Sequence, residues 1–158
     1  RAITDEAVDR VYDVARSQQV RVSVEGLDEP PLIAGDSSLL MRAIANLLDN
    51  AIRYSPKSGV VRCSIRLKER SEAATCDYLE CTVADQGPGI PPERLAALFQ
   101  RFGPNDPSKE LSAGLGLAFV KRAVDLMGGS ITLESATGGT TFVVAFPVAV
   151  SPESIDPA

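Results

Sequence analysis

The chain has 158 residues, of which 44% are hydrophobic and 23% charged, and its formal net charge is −5. This balance is typical of one soluble globular domain, and the scattered basic residues do not form the positive face that nucleic-acid binding requires. The sequence contains no histidine, which excludes imidazole bases, serine–histidine–aspartate triads and phosphohistidine formation within this chain.

Other features of the composition set expectations about the chain's surroundings. No apolar run approaches the roughly 18 residues that a membrane span needs, so we expect no direct membrane insertion. The three cysteines, Cys63, Cys76 and Cys81, are an odd number without CxxC spacing and predict reduced thiols in the cytosol. Because the chain begins at Arg1 rather than at a methionine, we expect it to be a piece of a longer protein.

The first half of the chain predicts a helix, a strand and a second helix. The first helix is expected over 4–18 with Thr4 as N-cap, and the alternating stretch Val20–Glu25 predicts a strand. Asp36 is the predicted N-cap of a helix over 37–54. The apolar stripe of that helix comprises Leu40, Ile44, Leu47, Leu48 and Ala51.

The second half predicts more strands. Alternation from Val61 to Leu67 and the run Tyr78–Ala84 predict an antiparallel hairpin whose register the loop of about nine residues leaves open. The later expected elements are a short helix over 92–99, a loop over 100–113, a helix over 116–127, and strands over 131–134 and 141–147. This order predicts an α+β two-layer sandwich, with a mixed, largely antiparallel sheet of about five strands covered on one face by three helices.

Asn46 and Asn50 are four residues apart in the helix 37–54 and therefore lie on one face. Asparagine is a mediocre helix former, so the pair suggests a target outside the helix. One interpretation is the polar boundary of an amphipathic helix. The other is an oxygen ligand for a hard cation such as Mg²⁺, whose coordination substrate phosphates complete.

The segment Asp85-Gln86-Gly87-Pro88-Gly89-Ile90 directly follows a predicted strand. A carboxylate there can accept a hydrogen bond from the amino group of adenine, whereas guanine would present an acceptor. The glycines would let the backbone approach a ligand closely. A solvated turn with a capping aspartate is the alternative interpretation.

The segment Gly114-Leu115-Gly116-Leu117 opens the last predicted helix. Amides without partners and the helix dipole favour an anion at such a helix start. A flexible hinge is the alternative, and the segment matches neither a Walker A motif nor a Rossmann fingerprint.

Together, these segments resemble the ATP-binding domain of sensor histidine kinases, within the superfamily of gyrase, chaperone, histidine kinase and mismatch-repair ATPases. The resemblance covers about residues 4–147. It consists of the asparagine box NLLDNAIRYSP, the first glycine box DQGPGI, the phenylalanine box LFQRF, the second glycine box SAGLGLAFVKRAVDLMGG and the closing hairpin GGTTFVVAFP. It implies a Bergerat-type ATP-binding domain over 1–150. The tail over 151–158 (SPESIDPA) has little to bury, so we expect it to be flexible.

The resemblance implies a role for each matching position. Asn50 would ligate Mg²⁺, and Asn46 would lie at the phosphate side. Arg53 stands where the family often has a phosphate-binding lysine, Tyr54 would pack near the adenosine, and Asp85 would accept the adenine amine. The other implied ATP-binding residues are Gly87, Gly89 and Ile90 near the base, Lys109, Gly114, Leu115, Gly116 and Leu117 near the phosphates, and Thr140 near adenine-side water. Phe99 and Phe102 would be packing residues that couple the lid over 103–113 to the core, and Lys109 also fits an ordinary solvated lysine.

Besides Arg53 in place of lysine, two departures from the family pattern stand out. Ser112 occupies a position that is more usually glycine, which bears on the flexibility of the lid. Asn46 occupies the position where ATP-hydrolysing members carry a glutamate base. The resemblance therefore implies phosphoryl transfer to a separate acceptor rather than efficient hydrolysis.

The resemblance also implies partners and location. The acceptor histidine would lie on an upstream dimerisation helix hairpin, and a response regulator would be an indirect partner. The fragment alone would be monomeric. We expect a cytoplasmic domain, and the sequence leaves open whether its parent protein is anchored in a membrane. A serine kinase of the anti-sigma-factor type, a nucleotide-binding module without catalysis and a true ATPase remain alternatives.

Overall fold

The structure, a computed structural model, describes residues 2–26, 33–73, 76–89, 112–136 and 138–148. The elements in chain order are α1 (Ala2–Gln18), β1 (Arg21–Gly26), α2 (Ser37–Tyr54), β2 (Val60–Lys68), β3 (Tyr78–Ala84), α3 (Ser112–Leu126), β4 (Ser130–Ala136) and β5 (Gly139–Pro147). The described part thus contains the three helices and five strands of the predicted α+β fold.

The five strands form one sheet in the order β1-β2-β3-β5-β4. β1 runs parallel to β2, and every other neighbouring pair is antiparallel. This confirms the predicted mixed, largely antiparallel sheet and the predicted hairpin of β2 and β3. The register that the sequence left open pairs Arg62 with Ala84 and Lys68 with Tyr78.

The helices cover one face of the sheet, with α2 packed between α1 and α3. Side chains alternate along the strands, so that one set points into the core and the other, including Arg62 and Arg66, remains exposed. The core-facing set from the central strands comprises Val61, Cys63, Ile65, Cys81, Val83, Phe142, Val144 and Phe146. This arrangement confirms the two-layer architecture.

The helix α2 has the predicted bounds, because its N-cap, its apolar stripe and the proline after its end all lie within or beside the helix in sequence. Asp36 caps it, since Asp36 Oδ1 accepts hydrogen bonds from the amides of Ser38 at 2.8 Å and Leu39 at 3.4 Å. The predicted apolar stripe is buried, and the helix ends at Tyr54, just before Pro56.

The predicted start of α1 was wrong. The helix begins at Ala2, and Thr4 lies inside its first turn with only 2% of its surface exposed. Thr4 shares the core-facing stripe with Ala7 and Val11, so the spacing of three and seven residues places it against the core rather than at the cap.

The predicted start of α3 was also wrong. The helix begins at Ser112, which places the last two residues of the predicted loop and both glycines of its motif inside the helix. Glycine within a helix costs about 1 kcal/mol relative to alanine. The burial of Leu117, Val120 and Val124 against the core offsets this.

The hairpin of β4 and β5 is longer than predicted, because pairing continues to Ala136 and Gly139 and leaves only two residues between the strands. The predicted helix over 92–99, with Phe99, lies outside the described residues. So do Phe102, the loop over 100–111 and the tail over 151–158. Among the residues described, no helix is both long and apolar enough to cross a membrane.

Candidate functional site

Asp85 lies directly after β3, where it is held against β5. The Asp85 amide donates to the Thr140 carbonyl at 2.9 Å. In return, Asp85 Oδ1 accepts hydrogen bonds from the amide of Thr140 at 3.2 Å and from the amide of Gly87 at 2.8 Å. The residue is only 7% exposed. Since both backbone bonds go to Oδ1, the second oxygen, Oδ2, remains to accept a hydrogen bond from a ligand.

The environment of Asp85 disfavours its charged form. Burial raises the pKa of this carboxyl above its ordinary value of 3.8, and the hydrogen bonds from the Gly87 and Thr140 amides oppose the rise. A carboxylate with this combination of burial and fixed orientation is typical of a functional site.

Gly87 brings the end of α2 close to the Asp85 loop. A Cβ atom on Gly87 would lie 2.3 Å from the Tyr54 carbonyl oxygen and 3.1 Å from Asp85 Oδ1, so only glycine allows this approach. The neighbouring Gln86 accepts a hydrogen bond from the Val60 amide at 3.0 Å through its side-chain oxygen. The loop is therefore fastened both to α2 and to the start of β2.

Gly139 closes the same site from β5. Its φ is +146°, and a Cβ atom there would lie 2.1 Å from the Asp85 carbonyl oxygen. Gly89, the last described residue of the loop, has φ +82°, a conformation that glycine adopts without strain.

Asn50 faces the core side of α2 one helical turn before Tyr54, about 6 Å along the helix axis. It is 3% exposed, and its side-chain oxygen Oδ1 is buried without a hydrogen-bond partner among the described residues. Asn46 is half-buried one turn earlier and engages other groups. A buried oxygen without a donor is costly in a folded protein, and a cation would satisfy it.

Arg53 and Tyr54 lie on the exposed side of the same helix end. Arg53 Nε pairs with Asp49 Oδ2 at 2.9 Å, and Tyr54 is 44% exposed. The Arg53 guanidinium is therefore near the site but already neutralised by a neighbour four residues away.

The start of α3 supplies backbone amides. The amides of its first turn, from Ser112 to Gly114, lack partners within the helix. The amides of Gly116 and Leu117 fall in the second turn, where intrahelical bonds satisfy them. Ile90 and Lys109 lie outside the described residues.

Thr140, a predicted site residue, is buried at 4% exposure, and its hydroxyl is 3.1 Å from the hydroxyl of Ser135 on β4. The sequence reasoning missed Ser135, Gln86 and Gly139 as parts of the site. The one feature of the sequence that could have indicated them is the pair Gly138-Gly139 next to Thr140, because glycine in a strand often marks a place where another backbone approaches closely.

Comparisons with known proteins identify the family. A profile of the family described as histidine kinase-, DNA gyrase B- and HSP90-like ATPases matches residues 35–150. The histidine-protein kinase/phosphatase MprB of Mycolicibacterium vanbaalenii is 33% identical over 159 residues, which cover 97% of this chain and 32% of MprB. The sensor histidine kinase CusS of Escherichia coli O6:H1 is 37% identical over 148 residues, which cover 89% of this chain and 29% of CusS.

Solved structures share the fold. The mycobacterial sensor histidine kinase MprB superposes with a TM-score of 0.71 at 33% identity, over 95% of each chain. Full-length ShkA, solved in complex with AMPPNP, superposes with a TM-score of 0.72 at 25% identity, over 96% of this chain and 31% of ShkA. This chain spans less than a third of the length of MprB or CusS as curated, at 32% and 29%.

Proposed function

The chain belongs to the histidine kinase-, DNA gyrase B- and HSP90-like ATPases, as a catalytic ATP-binding domain of the sensor histidine kinase type, and on this premise we propose that it binds Mg-ATP and presents the γ-phosphate to a histidine outside this chain. The observation that carries the proposal is the buried Asp85 carboxylate, with Oδ1 committed to two backbone amides and Oδ2 left for a ligand.

The preference for adenine over guanine follows from the hydrogen-bond acceptor that Asp85 presents. Its Oδ2 accepts a hydrogen bond from the adenine amine, while a guanine carbonyl in that place would leave two acceptors facing each other. The close approach at Gly87 and Gly139 leaves no side chain between the base and the loop backbone. Thr140, with its hydroxyl near Ser135, supports the adenine side through bound water.

The residues present fit a magnesium ion. The buried, unpartnered Oδ1 of Asn50 is a hard, neutral oxygen ligand, and Mg²⁺ in nucleotide sites takes most of its remaining ligands from phosphates and water. When bound, the ion neutralises phosphate charge during transfer. A single protein ligand is consistent with the described residues, in which no cluster of three or more metal-binding side chains occurs.

The phosphates are held by the start of α3 and by nearby cations. The amides of the first turn, up to Gly114, point at an anion placed at the helix start. The resemblance adds Leu115, Gly116 and Leu117, which follow the first turn along the helix, to the residues near the phosphates. Arg53 reaches the phosphates by leaving Asp49, and Lys109, outside the described residues, is a further candidate for contact.

We infer that the γ-phosphoryl group is transferred to an acceptor rather than to water, because an amide stands where a carboxylate base would be needed. Asn46 cannot accept a proton at neutral pH, so it cannot activate water as a carboxylate base would. The chain contains no histidine, so the acceptor lies elsewhere, on an upstream dimerisation hairpin of the parent protein, with a response regulator as the next acceptor. The domain itself, without that hairpin, is monomeric and cytoplasmic.

Titration of the fragment with ATP and with GTP, each with and without Mg²⁺, tests the binding half of the proposal. We expect ATP to bind with Mg²⁺-dependent affinity and GTP to bind much more weakly. Equal affinity for both nucleotides would contradict the role of Asp85, and an affinity that does not respond to Mg²⁺ would contradict the role of Asn50.

Mixing the fragment with the upstream part of the same parent protein and γ-labelled ATP tests the transfer half. We expect acid-labile label on the upstream part and none on the fragment. Acid-stable label on a serine of another protein would favour a serine kinase of the anti-sigma type instead. Steady phosphate release by the fragment alone would favour an ATPase, and binding without either reaction would favour a regulatory module.

A further inference from the structure

A cavity lies beside the first turns of α2. It has a volume of about 430 Å³ and is lined mainly by apolar side chains from α1, the first turns of α2, and the sheet, among them Ile3, Leu40, Leu79 and Phe146. Its lining residues on α2 run from the N-cap Asp36 to Ile44, which are 14 and 6 residues before Asn50, about 21 and 9 Å along the helix. The cavity therefore lies toward the start of α2, whereas Asn50 lies toward its end.

A pair of thiols lies beside this cavity, and one of the two lines it. Cys81 lines it and is 5% exposed, whereas Cys63 is 0% exposed. Their sulfur atoms are 3.9 Å apart, within hydrogen-bonding distance for a thiol. Both are free cysteines, and neither belongs to the proposed nucleotide site.

The two cysteines are diagonal neighbours on adjacent strands. Cys63 on β2 pairs in register with Val83, and Cys81 on β3 pairs with Ile65. Diagonal Cα atoms in antiparallel strands are about 7–8 Å apart, and a disulfide usually joins Cα atoms about 4.4–6.8 Å apart. A bond between the two sulfurs therefore requires a small local movement of β3 relative to β2.

We propose that Cys63 and Cys81 are an oxidation site, in which a small neutral hydroperoxide enters the apolar cavity, the two thiols form a disulfide, and the resulting movement of β3 weakens nucleotide binding. Access through the cavity explains why a buried pair can react at all. The last step follows from the chain path, because β3 runs from Cys81 directly to Asp85, and it alone rests on the proposed function.

The reaction balances without a further reactant. The Cys81 sulfur attacks the outer oxygen of the hydroperoxide, the O–O bond breaks, and Cys81 becomes a sulfenic acid. The inner oxygen takes up the thiol proton and leaves with its alkyl group as an alcohol. The Cys63 sulfur then attacks the Cys81 sulfur and water leaves, so two thiols and one hydroperoxide give a disulfide, an alcohol and water. The hydrogen bond between the two thiols lowers the pKa of Cys63 and raises that of Cys81, which favours Cys63 as the thiolate that attacks the Cys81 sulfur in the second step.

Peptide mapping of the reduced fragment after treatment with tert-butyl hydroperoxide tests the site itself. We expect an intramolecular disulfide between Cys63 and Cys81, formed equally in a Cys76→Ser variant and reversed by dithiothreitol. Cys76 is the matched control because it is more exposed than the pair. Oxidation confined to Cys76, or the absence of any bond between Cys63 and Cys81 in folded protein, would overturn the proposal.

An Ile3→Phe variant tests the route through the cavity, because Ile3 lines it from the first turn of α1. We expect slower disulfide formation with an unchanged thermal unfolding midpoint. If this variant does not fold, the rate in wild type with hydroperoxides of increasing size gives the same information. An oxidation rate that does not depend on either change would contradict entry through the cavity.

ATP titration of the reduced and the oxidised Cys76→Ser protein tests the effect on the nucleotide site. We expect oxidation to weaken ATP binding by about fivefold or more, a typical size for coupling between two sites. Equal affinities would overturn the regulatory half. If the reduced protein binds no ATP, the proposed function fails, while the mapped disulfide still decides whether the thiol pair is an oxidation site.

Discussion

At the adenine side of the candidate site, the Asp85 carboxylate is held by two backbone amides, and glycines at 87 and 139 bring neighbouring backbone into contact with it. At the phosphate side, the Asn50 oxygen has no partner among the described residues, and Arg53 is paired with Asp49. The proposed adenine side is thus preorganised by the fold, whereas we expect the proposed phosphate side to be completed by its ligand. Substitutions at the first should affect folding and binding together, and substitutions at the second should affect mainly binding.

Asp85→Asn is expected to have the largest effect on binding. The amide oxygen can still accept the bonds from Gly87 and Thr140, but an NH₂ group then faces the adenine amine, so two donors meet. We expect ATP affinity to fall by about 1,000-fold, as at sites that reject a ligand with a mismatched hydrogen bond. Calorimetric titration measures it, and an affinity within threefold of wild type, roughly 0.7 kcal/mol, would contradict the assignment of Asp85.

Gly139→Ala is expected to have the largest effect on stability. The added methyl group would meet the Asp85 carbonyl oxygen at 2.1 Å, and φ is +146° there, so we expect a loss of about 3 kcal/mol in the free energy of unfolding. Urea denaturation measures it. Gly138→Ala is the matched control, because an added Cβ meets nothing within 4 Å, and equal losses in both variants would contradict the importance of the close approach.

Asn50→Ala separates binding from folding. It removes a buried oxygen that has no partner and replaces asparagine by a better helix former, so we expect the free energy of unfolding to stay equal or to rise. ATP affinity in Mg²⁺ should fall by about 30-fold through loss of a metal ligand, while affinity in EDTA should not change. A variant that loses both affinities equally would point to a structural role for Asn50.

The dependence of stability on pH tests the adenine side without a ligand. The pKa of Asp85 is raised in the native state, so the native state binds this proton more tightly than the unfolded state does. The Asp85 contribution to the free energy of unfolding is therefore favourable at low pH and declines as pH rises from the ordinary value of 3.8 to the raised native value. Urea denaturation across this interval gives the free energy of unfolding of wild type and of Asp85→Asn, and the wild-type value minus the variant value should fall as pH rises. A difference that increases with pH would contradict this expectation.

The contrast between the two sides also explains what could be predicted from the sequence. Asp36, Asn50 and Asp85 were placed correctly on their elements, because caps, helix faces and strand ends depend on near neighbours along the chain. Gly139 was not recognised, because its contact with Asp85 joins residues far apart in sequence and depends on the pairing of β3 with β5. The burial of Thr4 and the early start of α3 were missed for the same reason, since tertiary packing decides both.

Asp49→Asn is expected to have the smallest effect, and it tests whether the phosphate side waits for its ligand. The exposed pair with Arg53 stabilises the helix by only about 0.3–0.5 kcal/mol, so the free energy of unfolding should fall by no more than that. Arg53, released from its partner, should raise ATP affinity about two- to threefold at low salt, and this gain should shrink as salt screens the charge.

The matched control is Asp125→Asn, which breaks the comparable pair with Lys121 in α3 at 2.8 Å. The control should show the same small loss of stability without a change in affinity, because that pair lies in the last turns of α3, away from its first turn. If Asp49→Asn leaves ATP affinity unchanged and Arg53→Gln does so as well, Arg53 does not contact the phosphates, and the charge at this side comes from the metal ion and the helix start alone.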